Sequence, residues 1–261
     1  KPAILKPRTG ILIPYLCTGL SQIKVHAYWT SCLLIGCALM RRCGGYAAGL
    51  DVVKHLASSP LTLTSQVTVF TGDNGSGKST LIEAIAVARG ANAEGGSRNA
   101  RYATKKSVSA LWEALTITRS ENPSDVFFLR GETYLGLSEY YQSLGVNPLA
   151  DLVELSHGQG LMRIFRERFG QGALLLLDEP EDGLSVFAQL ELMGILWHLA
   201  DAGSQIIMAT HSPVLLGIPD AALLEVSEDG IHPIRFEECE AVTAHREFIA
   251  NPTATANFLV Q

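Results

Sequence analysis

Four runs of apolar and β-branched residues predict buried strands along the chain. They occupy residues 67–71, 126–129, 173–177 and 205–210, and each is followed by a glycine or by polar residues. The run at 173–177 is apolar without interruption, which is typical of a central strand in a parallel sheet with both faces covered. The sequence therefore predicts a layered core with helices against a sheet.

Segments whose apolar residues have helical spacing lie between or after these strands. Residues 185–202 place apolar side chains three and four positions apart, as one face of a helix requires. Helix-forming residues also fill 80–86, and a further helix is predicted at 239–250, where Asn251-Pro252 ends it. This alternation predicts an α/β fold, a mostly parallel sheet flanked by helices on both faces.

Two short apolar runs near the end of the chain predict a hairpin. Residues 223–226 and 231–234 flank the turn sequence Glu228-Asp229-Gly230. No internal repeat accompanies these elements.

A glycine-rich loop after the first predicted strand has the GxxxxGK[ST] pattern of the P-loop NTPases. Glycines let such a loop wrap phosphates where a β-carbon would block the approach. Its backbone N–H groups and the N-terminus of the next helix then face the phosphate oxygens. Lys78 is expected to reach the β- and γ-phosphates, and the Ser79 hydroxyl to bind Mg2+. The predicted ATP-binding residues are Gly72, Asp73, Asn74, Gly75, Ser76, Gly77, Lys78, Ser79 and Thr80.

An acidic pair follows the leucine-rich strand. Asp178 stands at its carboxyl end, where ligands bind in open α/β sheets, and is predicted to hold Mg2+ with Ser79. Glu179 is the candidate general base for the water that attacks the γ-phosphate. Pro180 helps to end the strand because it has no N–H to donate.

A third motif lies between these two. Residues 155–160 read Leu-Ser-His-Gly-Gln-Gly, which resembles the Leu-Ser-Gly-Gly-Gln signature of ABC-type ATPases, with His157 in place of the first glycine. Ser156 can cap a helix there. The resemblance implies contact with the γ-phosphate of an ATP bound to a second subunit. The residues concerned are Ser156, Gly158 and Gln159.

A histidine follows the last buried strand. His211 is 33 residues beyond Asp178, a distance that accommodates one helix and one strand. ABC-type ATPases have a switch histidine in this place, so the resemblance implies that His211 contacts the γ-phosphate and orients the water.

Three other features of ABC-type ATPases match this sequence less closely. The loop after the acidic strand, residues 181–185, ends in Ser185 where the family usually has Asp. Either Glu132 or Gln142 stands where the family has a glutamine, and Tyr46 is a candidate for stacking on adenine.

The resemblance covers residues 46–236, and it is strongest to small stand-alone AAA-family ATPases of bacteria, which carry Asp-Glu-Pro-Glu and Thr-His-Ser-Pro motifs. It extends to structural-maintenance-of-chromosomes and recombination ATPases, whose heads are interrupted by a coiled coil. The 76 residues from Ser79 to Leu155 carry no sustained heptads, so no such arm is expected. Residues 1–45 are then an atypical extension, and residues 237–261 a C-terminal helix and tail.

Three functions are compatible with this family. The first is an ATPase that forms a head-to-tail homodimer around two ATP molecules. The second is a nucleotide-gated module that turns over slowly and regulates a DNA, toxin or membrane partner. The third is a transporter subunit, which is disfavoured because no helical subdomain precedes the signature.

The charge distribution narrows the choice of partner. The net charge is −6, but residues 1–50 hold six basic and no acidic side chains, which leaves 14 basic and 26 acidic residues elsewhere. An acidic head argues against strong non-specific DNA binding, because that binding depends on phosphate neutralisation by Lys and Arg.

The first 45 residues carry four of the five cysteines, Cys17, Cys32, Cys37 and Cys43, without Cys-x-x-Cys spacing. Neither zinc nor a disulfide is expected, since ATP chemistry favours a reducing, cytoplasmic location. The apolar stretch 27–40 is shorter than the roughly 20 residues that span a bilayer, so membrane insertion is not expected.

A long Gly- and Ser-rich loop is predicted at 91–106. Its Arg98 and Arg101 either reach phosphate or a partner, or are solvated.

Overall fold

The predicted strands join one seven-stranded sheet in the computed structural model, which describes residues 32–40, 43–97, 109–145, 149 and 151–260. The expectations for Cys17, Arg98 and Arg101 lie outside these residues. The described strands are β1 (Leu34–Leu39), β2 (Leu61–Thr62), β3 (Val67–Gly72), β4 (Gly96–Ser97), β5 (Leu115–Arg119), β6 (Val126–Arg130), β7 (Leu174–Asp178), β8 (Gln205–Ala209), β9 (Ala222–Ser227) and β10 (Gly230–Pro233). The described helices are α1 (Asp51–Ser58), α2 (Lys78–Ala88), α3 (Leu111–Ala114), α4 (Tyr134–Ser143), α5 (His157–Glu167), α6 (Val186–Asp201), α7 (Pro213–Leu216), α8 (Glu240–Ala250) and α9 (Pro252–Leu259).

The large sheet is parallel in its centre and antiparallel at its edges. Its strand order is β10-β9-β3-β8-β7-β6-β4. Neighbours from β9 to β6 are parallel, whereas β10 and β4 each pair antiparallel with the strand beside them. The predicted fold class, a mostly parallel α/β sheet, is confirmed, and so is the hairpin at β9 and β10.

Strand β7 shows why helices cover both faces of the sheet. Its side chains alternate between faces with a period of two. Leu174 and Leu176 pack in the core that contains α2, whereas Leu175 and Leu177 pack in the core that contains α5 and α6. All four leucines are at most 1 % exposed, and burial of each contributes about 1.5–3 kcal/mol.

A second, three-stranded sheet has the order β2-β1-β5 and is antiparallel. The side-chain amide of Gln205 joins it to the large sheet, since it accepts from the Leu34 N–H at 2.6 Å and donates to the Leu34 carbonyl at 2.9 Å. Leu34 and Cys37 are buried in the same core as α2. Strand β1, which precedes residue 46, therefore packs directly against the layer that carries the phosphate-binding loop.

Helices α8 and α9 close the described chain, and Pro252 begins the second of them. No helix in the described part of the chain has both the length and the apolarity needed to cross a membrane.

Candidate functional site

The sheet topology brings the predicted motifs to one edge. Strands β3, β8, β7 and β6 are parallel neighbours, so their carboxyl ends lie side by side. The phosphate loop follows β3, Asp178 ends β7, His211 follows β8 and Arg130 ends β6. The candidate site is built at this edge.

The phosphate loop needs its glycines for backbone geometry. Gly72, Gly75 and Gly77 have φ angles of 114°, 83° and 101°, a region that side chains with a β-carbon rarely adopt. A β-carbon on Gly72 would also lie 2.3 Å from the Val226 carbonyl oxygen of β9. Helix α2 begins at Lys78 without a side-chain cap. Its first N–H groups can therefore donate hydrogen bonds to an anion bound in the loop.

Lys78 is buried, with 6 % of its surface exposed. Its Nζ donates to the carbonyl oxygens of Gly72 at 2.8 Å and Asp73 at 2.6 Å. Burial lowers the Lys78 pKa, and the nearby carboxylates, Glu179 first, oppose that shift. The ammonium is therefore held by neutral carbonyl oxygens, and negatively charged phosphate oxygens are the stronger alternative.

Asp178 has one oxygen engaged and one without a partner. Its Oδ2 accepts from Arg130 Nε at 3.0 Å, whereas its buried Oδ1 has no hydrogen-bond partner among the described residues. Burial raises the Asp178 pKa, and hydrogen bonding from Ser79 and the charge of Arg130 oppose the shift. A carboxylate oxygen without a partner beside a hydroxyl is a donor set that suits Mg2+, so these two residues fit the predicted metal site.

Arg130 is a site residue that sequence reasoning missed. It lies opposite Asp178 in the β6–β7 register, and its NH2 group donates to Glu83 Oε2 on α2 at 2.9 Å. One guanidinium thus joins two carboxylates next to the phosphate loop. The sequence signal that could have identified Arg130 is its position as a charged residue at the carboxyl end of a predicted central strand.

Glu179 adopts an unusual backbone conformation. Its φ of 49° lies in the left-handed region, which costs about 1–3 kcal/mol for a non-glycine residue and is concentrated at functional sites. Its N–H donates to the Ala209 carbonyl at 2.9 Å, which fixes the turn against β8. Burial raises the Glu179 pKa, and the negative charges of Asp178, Asp182 and Glu181 add to that effect.

His211 has an imidazole nitrogen available for a ligand. Its Nε2 is buried and has no hydrogen-bond partner among the described residues. Burial lowers the His211 pKa, the charge of Lys78 lowers it further, and Glu179 opposes both. The charges of Lys78 and Glu179 therefore both act on the His211 imidazole.

Asp178, Glu179 and Arg130 border a polar cleft of ≈ 450 Å³, whereas Lys78 and His211 lie outside its lining. Glu132 lines the cleft and Gln142 does not, so of the two candidates for the family's glutamine only Glu132 lies at the site. Tyr46 lies at the cleft and is 71 % exposed, as a ring available to a base would be. The cleft is lined by Tyr46, Ser79, Thr80, Glu83, Arg130, Gly131, Glu132, Asp178, Glu179 and Asp182.

The signature residues form the predicted helix cap outside this lining. Ser156 Oγ accepts from the Gln159 N–H, and the Gln159 side chain bonds back to the Ser156 backbone, a complete capping box. His157, the departure from the family pattern, packs its ring 4.6 Å from that of Tyr134. It also lies against Gly183, where a β-carbon would meet the His157 ring at 2.9 Å.

Gly160 gives a test of the packing around this helix. A β-carbon at Gly160 would lie 1.5 Å from the Tyr134 hydroxyl oxygen, whereas one at Gly194 of α6 would meet nothing within 4 Å. Gly160→Ala is expected to lower the free energy of unfolding by about 1–3 kcal/mol through overpacking. Gly194→Ala is the matched control and is expected to raise it by up to about 1 kcal/mol, since alanine favours a helix. Urea unfolding of both variants measures the difference, and equal stabilities would contradict the packing.

Two protein-family models match segments of the chain. Residues 54–125, which contain the phosphate loop, match a family described as "AAA domain". Residues 161–217, which contain Asp178, Glu179 and His211, match the family described as "AAA domain, putative AbiEii toxin, Type IV TA system". No curated protein matches the chain.

Two solved structures are similar to the chain. One is an inward-facing metal-chelate type ABC transporter, with 16 % identity, 81 % of this chain and 89 % of that chain covered, and a TM-score of 0.44. The other is the structural-maintenance-of-chromosomes head domain of Thermotoga maritima, with 17 % identity, 78 % and 100 % coverage, and a TM-score of 0.44.

Both family matches are to AAA domains, and they confirm the AAA-family resemblance that the motifs predicted.

Proposed function

We propose that the chain binds ATP with Mg2+ and hydrolyses it to ADP and phosphate. The observation that supports this most is the convergence of Lys78, Asp178, Glu179 and His211 at the carboxyl ends of three adjacent parallel strands. Asp178 Oδ1 and His211 Nε2 are buried there without a hydrogen-bond partner among the described residues. Phosphoryl transfer needs positioning and charge neutralisation rather than covalent chemistry, and this set supplies both.

In the proposed reaction, the loop N–H groups and Lys78 bind the β- and γ-phosphates. Ser79 and Asp178 would hold Mg2+, which neutralises phosphate charge when it is bound. Glu179 accepts a proton from a water whose oxygen attacks the γ-phosphorus, and the bond to the ADP oxygen breaks. His211 Nε2 contacts the γ-phosphate and fixes the direction of attack.

The position of the signature helix supports a homodimer. Ser156, Gly158 and Gln159 do not line the cleft that contains Ser79 and Asp178. The capping box of α5 occupies the Gln159 N–H, and a helix N-terminus binds anions through the N–H groups that remain. The start of α5 of one copy is therefore proposed to complete the site of a second copy in a head-to-tail arrangement. ATP would then hold the two copies together, and hydrolysis would release them.

The Arg130–Asp178 ion pair favours a second candidate function. Because Arg130 already compensates the charge of the predicted metal ligand, nucleotide binding with slow turnover is also compatible with the site. The chain would then be a nucleotide-gated module that regulates a DNA or protein partner. The name of one matching family refers to a toxin–antitoxin system, and a partner of that class belongs to this candidate.

Phosphate release by the purified chain distinguishes the two candidates. We expect release from ATP that requires Mg2+, stops with excess EDTA and is accompanied by dimer formation in light scattering. Double-stranded DNA is included as a separate arm, and stimulation by it would identify a DNA-dependent activity. Binding of ATP without phosphate release in any arm would favour the slow module, and failure to bind ATP would reject both.

A further inference from the structure

The Glu181 carboxylate accepts hydrogen bonds from three consecutive residues around His211. Glu181 Oε1 accepts from the Thr210 hydroxyl at 2.6 Å, from the His211 N–H at 2.9 Å and from the Ser212 N–H at 3.1 Å. These donors are consecutive residues at the end of β8, whereas Glu181 belongs to the turn that follows β7. The carboxylate therefore joins two loops that are 30 residues apart in the chain.

The same turn carries Glu179. Only Pro180 separates it from Glu181, and the Glu179 N–H is itself bonded to the Ala209 carbonyl of β8. The predicted base and the predicted switch histidine are thus held to each other by the hydrogen bonds of one short segment. The left-handed backbone of Glu179 leaves this segment little freedom to adopt another register.

Gln189 of α6 adds a second connection between the same loops. Its Nε2 donates to the Leu184 carbonyl at 3.0 Å, and its Oε1 accepts from the Ser212 hydroxyl at 2.7 Å. Ser212 in turn caps α7 by accepting from the N–H groups of Val214 and Leu215. The loop that bears His211 is consequently fixed on one side by Glu181 and on the other by Gln189.

We propose that Glu181 is a positioning residue for ATP hydrolysis, because it holds the backbone of His211 at a fixed place relative to Glu179. This inference rests on the proposed function and assigns a role to the second glutamate of the Asp-Glu-Pro-Glu motif. Glu181 does not line the cleft, and it acts through His211 rather than on ATP.

Two substitutions of similar size test the role of the acceptor oxygen. Glu181→Met removes the acceptor of the Thr210 hydroxyl and the His211 N–H, whereas the Ser212 N–H keeps the Thr210 hydroxyl oxygen at 3.0 Å. The kcat for ATP is therefore expected to fall at least tenfold. The Kd for ATP, which depends on the phosphate loop, is expected to stay within twofold. Glu181→Gln keeps an acceptor oxygen and is expected to restore kcat to within about threefold of wild type, because an amide oxygen accepts the same bonds. Glu191→Met, on the exposed face of α6 where Glu191 pairs with Arg166, is the matched control and is expected to leave kcat unchanged.

A double-substitution cycle shows whether Glu181 acts through His211. In a His211→Ala background, Glu181→Met is expected to reduce kcat by less than a further twofold. A full tenfold reduction in that background would overturn the proposal, as would a rise in Kd that accounts for the loss. If Glu181→Met does not fold, Thr210→Val removes one donor to Glu181 together with the oxygen that accepts from the Ser212 N–H. A kcat equal to that of wild type would then overturn the proposal.

A measurement without nucleotide separates this proposal from the proposed function. The amide proton signal of His211 is expected to shift upfield in Glu181→Met, to shift less in Glu181→Gln, whose amide oxygen is an uncharged acceptor, and to remain in place in Glu191→Met. Absence of ATP turnover in the wild type would reject the proposed function alone. An unchanged His211 amide signal in Glu181→Met would reject the positioning role, whatever the activity.

Discussion

Replacement of Glu179 by glutamine is expected to reduce ATP turnover by about two to four orders of magnitude, the usual contribution of a general base. Glutamine has the size of glutamate and fits the same turn, but its amide cannot accept the proton of the attacking water. The predicted phosphate loop and the proposed metal ligands are unchanged by this substitution. ATP is therefore expected to remain bound, and the proposed dimer to accumulate.

Two measurements on the Glu179→Gln variant check this expectation. Single-turnover phosphate release reports the chemical step, and light scattering in the presence of ATP and Mg2+ reports the dimer. Glu191→Gln makes the same chemical change at an exposed position of α6 and should behave as wild type. Turnover that survives Glu179→Gln at the wild-type rate would show that another group accepts the proton.

The fold was predictable because the local pattern and the tertiary structure agree. Four leucines before Asp178 favour a strand covered on both faces, and β7 is the strand whose side chains alternate between the two cores. The glycine-rich loop was also predictable as a local backbone feature, since Gly72, Gly75 and Gly77 are close in sequence and all three have positive φ angles. A motif whose residues are adjacent in the chain can be recognised from a single sequence.

Arg130 and Glu181 could not be assigned roles from the sequence because their partners are distant along the chain. Arg130 bonds to Asp178, 48 residues away, and Glu181 bonds to His211, 30 residues away. Each contact depends on the register between neighbouring parallel strands, which a pattern of apolar residues does not specify for charged side chains at the strand ends.

The departure at His157 has a physical explanation that the sequence alone did not supply. The imidazole fills the space between Tyr134 and Gly183, so it ties the start of α5 to the loop that follows the acidic strand. A glycine at position 157, as in the family signature, would leave that space empty. The histidine at position 157 therefore packs against Tyr134 and Gly183.

Replacement of Lys78 by methionine is expected to weaken ATP binding roughly 10- to 150-fold, if one charged hydrogen bond of about 1.5–3 kcal/mol to phosphate is lost. Methionine keeps the apolar part of the side chain, which is buried, and removes only the ammonium. The carbonyl oxygens of Gly72 and Asp73 also lose their donor, so the empty loop loses part of its internal support. Hydrolysis should fall further, because the same ammonium neutralises charge that develops on the γ-phosphate.

Calorimetric titration with ATP and Mg2+ measures this loss directly. Lys54→Met is the matched control, since Lys54 is an exposed lysine of α1 that pairs with Asp51 and does not belong to the glycine-rich loop. Lys78→Arg is not expected to restore binding, because the planar guanidinium is larger and the site leaves only 6 % of Lys78 exposed. If Lys78→Met bound ATP as tightly as wild type, the loop from Gly72 to Ser79 would not be the phosphate site, and the catalytic assignments that depend on it would fail together.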